Sequence, residues 1–206
     1  MWLHPSEESY FIAQKWKDKS IKRVLDFGCG LGRHSIYFAK QGFQVSAFDY
    51  SEKATEHLGQ WAEKENLSIN VVNADMLELP YDDDSFDAIF AYHVISHTDS
   101  AGIKKIINEI SRVLKVGGEM FITLCSKDSW SFRDAGYPKL DENTVIKTDE
   151  GPEKGVPHFY VSLDDVPDLL ADYDVDRIRH TCDCFYSGKR QKNSVHYFIS
   201  ACLREK

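Results

Sequence analysis

Residues 26–32 read Asp26-Phe-Gly28-Cys-Gly30-Leu-Gly32, with the first of three alternating glycines two residues after an acid. Glycine loses more conformational freedom on folding than any other residue, so three in one turn imply a backbone that a ligand approaches closely. The turn follows the apolar Val24-Leu25 and precedes a helix-like stretch from Arg33, which aims the partly positive helix start at the same ligand. A pyrophosphate fingerprint, G-x-G-x-x-G, would need its last glycine at position 33, where the chain has Arg33. Asp26 would moreover repel a pyrophosphate and attract an ammonium group. A cation at a helix start, as Arg33 is, points to a carboxylate nearby.

A second chemistry is offered by histidines. His93 and His97 lie just past an apolar stretch, and His158 sits in Gly155-Val-Pro-His-Phe-Tyr160. An unperturbed imidazole titrates near neutral pH, which suits removal of a proton from an acceptor. These three are the candidate catalytic or substrate-contacting residues; cofactor contact or a helix-start role suits His93 and His97 equally well, and His158 ends the excursion that should cover the pocket.

The elements that must position these groups follow from periodicity. A helix over 6–18 starts at Ser6, a buried strand runs over 21–27 and a short helix from Arg33 to Lys40 closes at Gly42. Strand 43–49, a helix from Ser51, strand 67–75 and a strand through Asp87-Ala-Ile-Phe-Ala-Tyr-His-Val94 come next. Ile103, Ile106, Ile107, Ile110 and Leu114 make a helical stripe that Gly117 and Gly118 stop before strand 119–125. Residues 126–160 have no clear period and form a long excursion of the kind that serves as a lid or binding loop. A capping box, Ser162 to Asp165, opens a short helix, and strands 174–182 and 195–203 close the chain as a hairpin. The reading is α/β: one domain over 1–206, a doubly wound, Rossmann-like, mostly parallel seven-stranded sheet with a C-terminal antiparallel hairpin and a substrate-covering insertion at 126–160.

With these residues in this order, the stretch from about 21 to 125 resembles the class I S-adenosylmethionine-dependent methyltransferases. The resemblance implies that Asp26, Gly28, Gly30, Gly32 and Arg33 form the turn around the methionine part of the cofactor. It implies that Asp49 accepts hydrogen bonds from the ribose hydroxyls, with Tyr50 beside it, and that Asp75 meets the adenine edge while Met76 packs on the ring. The backbone of Phe90-Ala91-Tyr92 would then meet the amino-acid portion. The activity implied is methyl transfer to a small-molecule acceptor by in-line displacement, with S-adenosyl-L-methionine as cofactor. Alternatives are a non-catalytic module that binds the cofactor or its demethylated product, and an NAD(P)-dependent oxidoreductase.

Composition narrows the partners. The net charge is -8, from 25 Lys+Arg against 33 Asp+Glu, which suits nucleic-acid binding poorly because that depends on neutralising phosphates. No proline-containing motif of the nucleic-acid amino-methylating type follows the fourth strand, where the chain reads Phe90-Ala91-Tyr92-His93. The metal-dependent catechol type of the family that the chain resembles has a carboxylate set at these strand ends, whereas Asp141-Glu142-Asn143 lies in the excursion, so the resemblance implies no metal. Trp130, Phe132, Tyr137, Phe159 and Tyr160 are candidate walls of an acceptor pocket, and Arg133 a candidate partner for an acidic group. Five cysteines at non-framework spacings point to a reducing compartment, and with no apolar run of membrane length the chain reads as cytoplasmic.

Overall fold

The computed structural model describes residues 3–204. Its centre is a set of short strands apolar on both faces: β1 (Arg23–Phe27), β2 (Gln44–Asp49) and β4 (Phe86–Ala91), with β3 (Ile69–Asn73) at one edge and the longer β5 (Leu114–Ser126) beyond β4. All five run parallel in the order β3-β2-β1-β4-β5. A parallel sheet must be covered on both faces. Leu25 belongs to the cluster that includes Ile103, Ile106 and Ile110 of α4 (Ser100–Val113), whereas Val24 packs with Ile12 and Trp16 of α1 (Glu7–Asp18) and Phe38 of α2 (Arg33–Lys40). Trp16 is 1% exposed and meets Phe38, Phe43 and Phe90. The helix α3 (Glu52–Lys64) is held at its start by Ser51, whose side chain accepts from the Ala54 backbone N–H.

The antiparallel β8 (Tyr173–Ser187) and β9 (Arg190–Leu203) complete the sheet, β9 lying along β5 through Glu119↔Cys202 to Cys125↔His196. The seven expected strands are therefore present, but the sheet has nine. The two additional ones come from the segment read as an excursion. There α5 (Trp130–Arg133) is followed by β6 (Thr144–Ile146) and β7 (Pro157–Val161), and β7 pairs in parallel with the last two residues of β5. Their short length hides the alternation that marks a strand. The hairpin strands also run further than their apolar pattern indicates, to a turn at Gly188, because the outer half of the ribbon is exposed and carries no hydrophobic period. The capping box is present at Ser162 and Asp165, opening a 3-10 turn and α6 (Val166–Leu169).

Strand order reverses between β1 and β4, since β2 and β3 lie to one side and β5 to the other. Ligands of open α/β sheets bind outside the carboxyl ends of the strands at such a point. The glycine turn after β1 and the segment holding His93 and His97 after β4 both lie there.

Candidate functional site

The three glycines of the turn all have positive φ, 65°, 52° and 91° for Gly28, Gly30 and Gly32, but they serve different ends. A Cβ on Gly28 would lie 2.3 Å from Val94 Cγ2, and one on Gly32 2.3 Å from Leu58 Cδ1, so both allow side chains of neighbouring elements to close in. A Cβ on Gly30 would meet nothing within 4 Å. Gly30 is the position where the backbone stays bare toward open space. Its N–H donates to Asp49 Oδ2 at 2.8 Å, and Asp49 Oδ1 accepts from the Ser51 N–H at 2.9 Å. Asp26, by contrast, is 2% exposed beneath the turn, where it accepts from the Ser35 hydroxyl and burial raises its pKa to about 6. The nearby Arg33 charge works against that rise, which makes Asp26 a carboxylate of the kind Arg33 calls for. Arg33 also lies over the Tyr92 ring, 5.4 Å from its centroid, and donates to the His4 carbonyl.

Two cavities meet at this turn and share Gly28, Asp49, Val94 and His97. The smaller, about 420 Å³, is lined by Tyr50, Asp75, Met76 and Leu77. Asp75 Oδ1 accepts from the Leu77 N–H at 2.8 Å, so this acid shapes the local turn as well as facing the cavity. The larger, about 560 Å³, runs from Gly30 and Arg33 past His93 to Lys147, Glu153 and His158 of the 126–160 segment.

The far end of the larger cavity is strongly polar. His97 Nε2 lies 3.6 Å from Glu153 Oε1, His158 Nε2 lies 3.4 Å from Glu153 Oε2, and Lys147 Nζ also contacts Glu153 Oε2. The proximity of His158 and His97, together with Lys147, holds the Glu153 carboxyl well below the usual carboxylate range. His93 has φ 54° and donates its N–H to Thr123 Oγ1 at 2.6 Å. Its ring opens on the cavity but is otherwise enclosed, 4.4 Å from that of His196. Loss of hydration there, with His196 and Arg33 adding to it, lowers its pKa to about 3. So weak a base removes protons poorly near neutral pH.

Residues 24–118 match the model of the methyltransferase domain family. This stretch, which holds the glycine turn, Asp49, Asp75 and His97, is similar to that family. Among curated relatives, it is 34% identical to a sterol 24-C-methyltransferase of Gibberella zeae over 116 residues, 55% of this chain and 30% of that protein. It is 35% identical to a sarcosine/dimethylglycine N-methyltransferase of Halorhodospira halochloris over 103 residues, 48% of this chain and 36% of that one. The matched stretch thus spans about a third of the length of these relatives. Among solved structures, the fold is similar to that of a methyltransferase from Methanosarcina mazei, with a TM-score of 0.74, 20% identity, and 90% of this chain and 94% of that chain covered.

Of the residues expected to meet a cofactor, Gly28, Gly30, Arg33, Asp49, Tyr50, Asp75 and Met76 border the two joined cavities. Gly32 lies behind the turn against Leu58, Asp26 lies beneath it, and the Ala91 side chain is buried in the sheet with the neighbouring Tyr92 and His93 reaching the cavity instead. Of the candidate aromatic walls, Phe159 and Tyr160 are buried in the core and Phe132 packs on Tyr160, whereas Trp130 and Tyr137 border a cleft that adjoins the larger cavity at Lys147, Glu153 and Ser194. Arg133 faces Asp128 and Asp134. Sequence reasoning missed Lys147, Glu153 and Thr123, which sit in stretches without a motif. It also missed His34, a buried cavity-lining residue whose Nε2 accepts from the Ser6 N–H and whose pKa burial lowers to about 3. Among the described residues, no helix is long and apolar enough to cross a membrane.

Proposed function

We propose that the chain transfers a methyl group from S-adenosyl-L-methionine to a small-molecule acceptor held in the larger cavity. The observation that carries this reading is the bare backbone of Gly30 beside the Asp49 carboxylate, at the junction of two cavities. Asp75 and Met76 line a compartment with an acceptor oxygen and a soft apolar surface, which suits an adenine. Asp49, between the compartments, suits a diol. The bound cofactor supplies a methyl group on a positively charged sulfur. What remains for the protein is alignment and exclusion of water, so proximity supplies much of the rate.

The acceptor end is the polar cluster of His97, Lys147, Glu153 and His158. Three of these four belong to the 126–160 segment, which supports its reading as the insertion that covers the substrate. The relatives' names cover acceptors as different as a sterol and sarcosine, so the acceptor class is set by what each chain adds to the shared domain. The polar far end favours an acceptor with a polar group over a sterol-like one. Because His93 is a feeble base, proton removal falls to His97 or His158, or is unnecessary for an acceptor that is already anionic or a free amine.

Calorimetric titration of the purified chain with S-adenosylmethionine, S-adenosylhomocysteine and NADH tests the reading. Micromolar binding of the first two and none of the third is expected. Binding of NADH alone would overturn it. Tight cofactor binding with no methyl transfer across a broad panel of polar acceptors would instead favour a binding module.

A further inference from the structure

Among the described residues, His97, Glu153 and His158 are the one group of three His, Cys, Asp or Glu side chains whose ligand atoms converge, all within 4.8 Å of one another. They come from the segment after β4 and from two places in the insertion, and they face the larger cavity. His158 decides how the group is read. Its side chain is 2% exposed, and its Nδ1 lies 3.0 Å from the Val156 carbonyl oxygen. A carbonyl only accepts, so Nδ1 donates to it, which leaves Nε2 as the ring atom that faces the cluster. That buried Nε2 has no hydrogen-bond partner, although Glu153 Oε2 is 3.4 Å away. A buried polar atom without a partner is what an ion bound at that place would satisfy. His97 Nε2, on a side chain 37% exposed, lies 3.6 Å from the other oxygen of Glu153.

We infer that His97, Glu153 and His158 form a binding site for a divalent transition-metal ion of the zinc type, at the acceptor end of the cavity. Two imidazoles and one carboxylate are a donor set that such ions take while keeping a position open for a further ligand. A backbone carbonyl holding the remote ring N–H, as Val156 holds His158, is the usual way of fixing the tautomer of a metal-binding histidine. Ligands about 2.0–2.1 Å from a tetrahedral ion lie about 3.3 Å apart; the ligand atoms here lie within 4.8 Å of one another, so closing on an ion asks for a modest rotation of the partly exposed His97 and Glu153 side chains. Lys147 shares Glu153 through Oε2, which leaves Oε1, the oxygen nearer His97, for the ion. The open position faces the cavity and suits an oxygen or nitrogen donor of the acceptor. This last point rests on the methyltransferase reading, whereas the ion site itself does not.

The experiment uses the full chain after treatment with a chelator. Co²⁺ is added and its visible absorption recorded, and Zn²⁺ is titrated by calorimetry; S-adenosylhomocysteine is titrated in parallel. A Cys182→Ser/Cys184→Ser background removes the exposed thiol pair, which would bind zinc on its own account. One ion per chain is expected at micromolar or better affinity, weakened at least tenfold by His97→Ala, Glu153→Gln or His158→Ala. His97 and Glu153 are partly exposed, so those two variants serve if the His158 variant does not fold. Absence of Zn²⁺ binding, or affinity unchanged in both His97→Ala and Glu153→Gln, would overturn the site. Loss of the ion with intact S-adenosylhomocysteine binding would sink the ion alone. The reverse result would keep the ion and sink the cofactor reading.

Discussion

The carboxylate of Asp49, at the end of β2, accepts the backbone N–H of Gly30, in the turn after β1, at 2.8 Å. One side chain thus ties two parallel strand ends together where the two cavities join. Replacing Asp49 with Ala removes both this tie and the acceptor that suits the ribose diol. Hydrogen bonds to a charged group contribute about 1.5–3 kcal/mol, so affinity for S-adenosylhomocysteine should fall at least tenfold. Calorimetry measures it, and an unchanged dissociation constant would remove Asp49 from the cofactor site.

The glycines should separate stability from binding. Gly30→Ala places a methyl in open space on a left-handed backbone, which costs about 1–2 kcal/mol. Gly28→Ala adds to a similar strain a clash with Val94, and overpacking costs about 1–3 kcal/mol more. Thermal unfolding should therefore show the larger fall in Tm for Gly28→Ala. The Gly30 variant should stay folded and lose cofactor affinity, because its methyl projects toward the cavity. Equal loss of Tm in the two would contradict this division.

Acid should destabilise the protein partly through His34. Its pKa is lowered to about 3 in the folded chain, against about 6.5 unfolded. A depressed histidine contributes stability that is present above its unfolded pKa and lost as pH falls toward its folded one. Between pH 7 and 5 this loss amounts to about 2 kcal/mol. Asp26, raised to about 6 by burial, works with the opposite sign, since its stability contribution grows as pH falls through that value. His34→Phe keeps the ring contacts with Phe90 and Tyr92 and removes the titration. Urea unfolding at pH 7 and pH 5 should show about 2 kcal/mol less acid loss in the variant than in the parent, a comparison from which Asp26 cancels.

The insertion is anchored through Asp141. Its carboxylate accepts from the Ser100 N–H and hydroxyl at the start of α4, and from the Asn143 N–H and Thr144 hydroxyl within the insertion. Asp141→Ala leaves several donors without their acceptor and should destabilise the chain by about 1–3 kcal/mol. If residues 126–160 cover the acceptor, the variant should also be cut faster by protease between 134 and 155 and show a raised acceptor KM with cofactor affinity preserved. A protease pattern identical to that of the parent would detach Asp141 from that role.

The alternation of strands and helices, the turn at Gly28, Gly30 and Gly32, and the acids Asp49 and Asp75 are all legible in the sequence. Each depends on short-range rules: hydrophobic period, glycine at positive φ, and an acid at a strand end. Where those rules lapse the sequence misleads. Strands β6 and β7 are too short to carry a period, and the aromatics Phe159 and Tyr160, plausible as pocket walls by type, turn inward because β7 joins the sheet beside the end of β5.

Sequence alone therefore determines where the cofactor-type backbone lies, because a glycine turn after a strand is defined within a dozen residues. Only the tertiary structure decides what faces it. His97 and Glu153 are 56 positions apart, and nothing near either one signals the other. They meet because β7 lies alongside the end of β5 and the Phe159 N–H binds the Ser96 carbonyl, which fixes the path of the insertion over the strand ends. Strand register and chain path set the convergence of distant side chains, and these are properties of the packed sheet that local spacing does not carry.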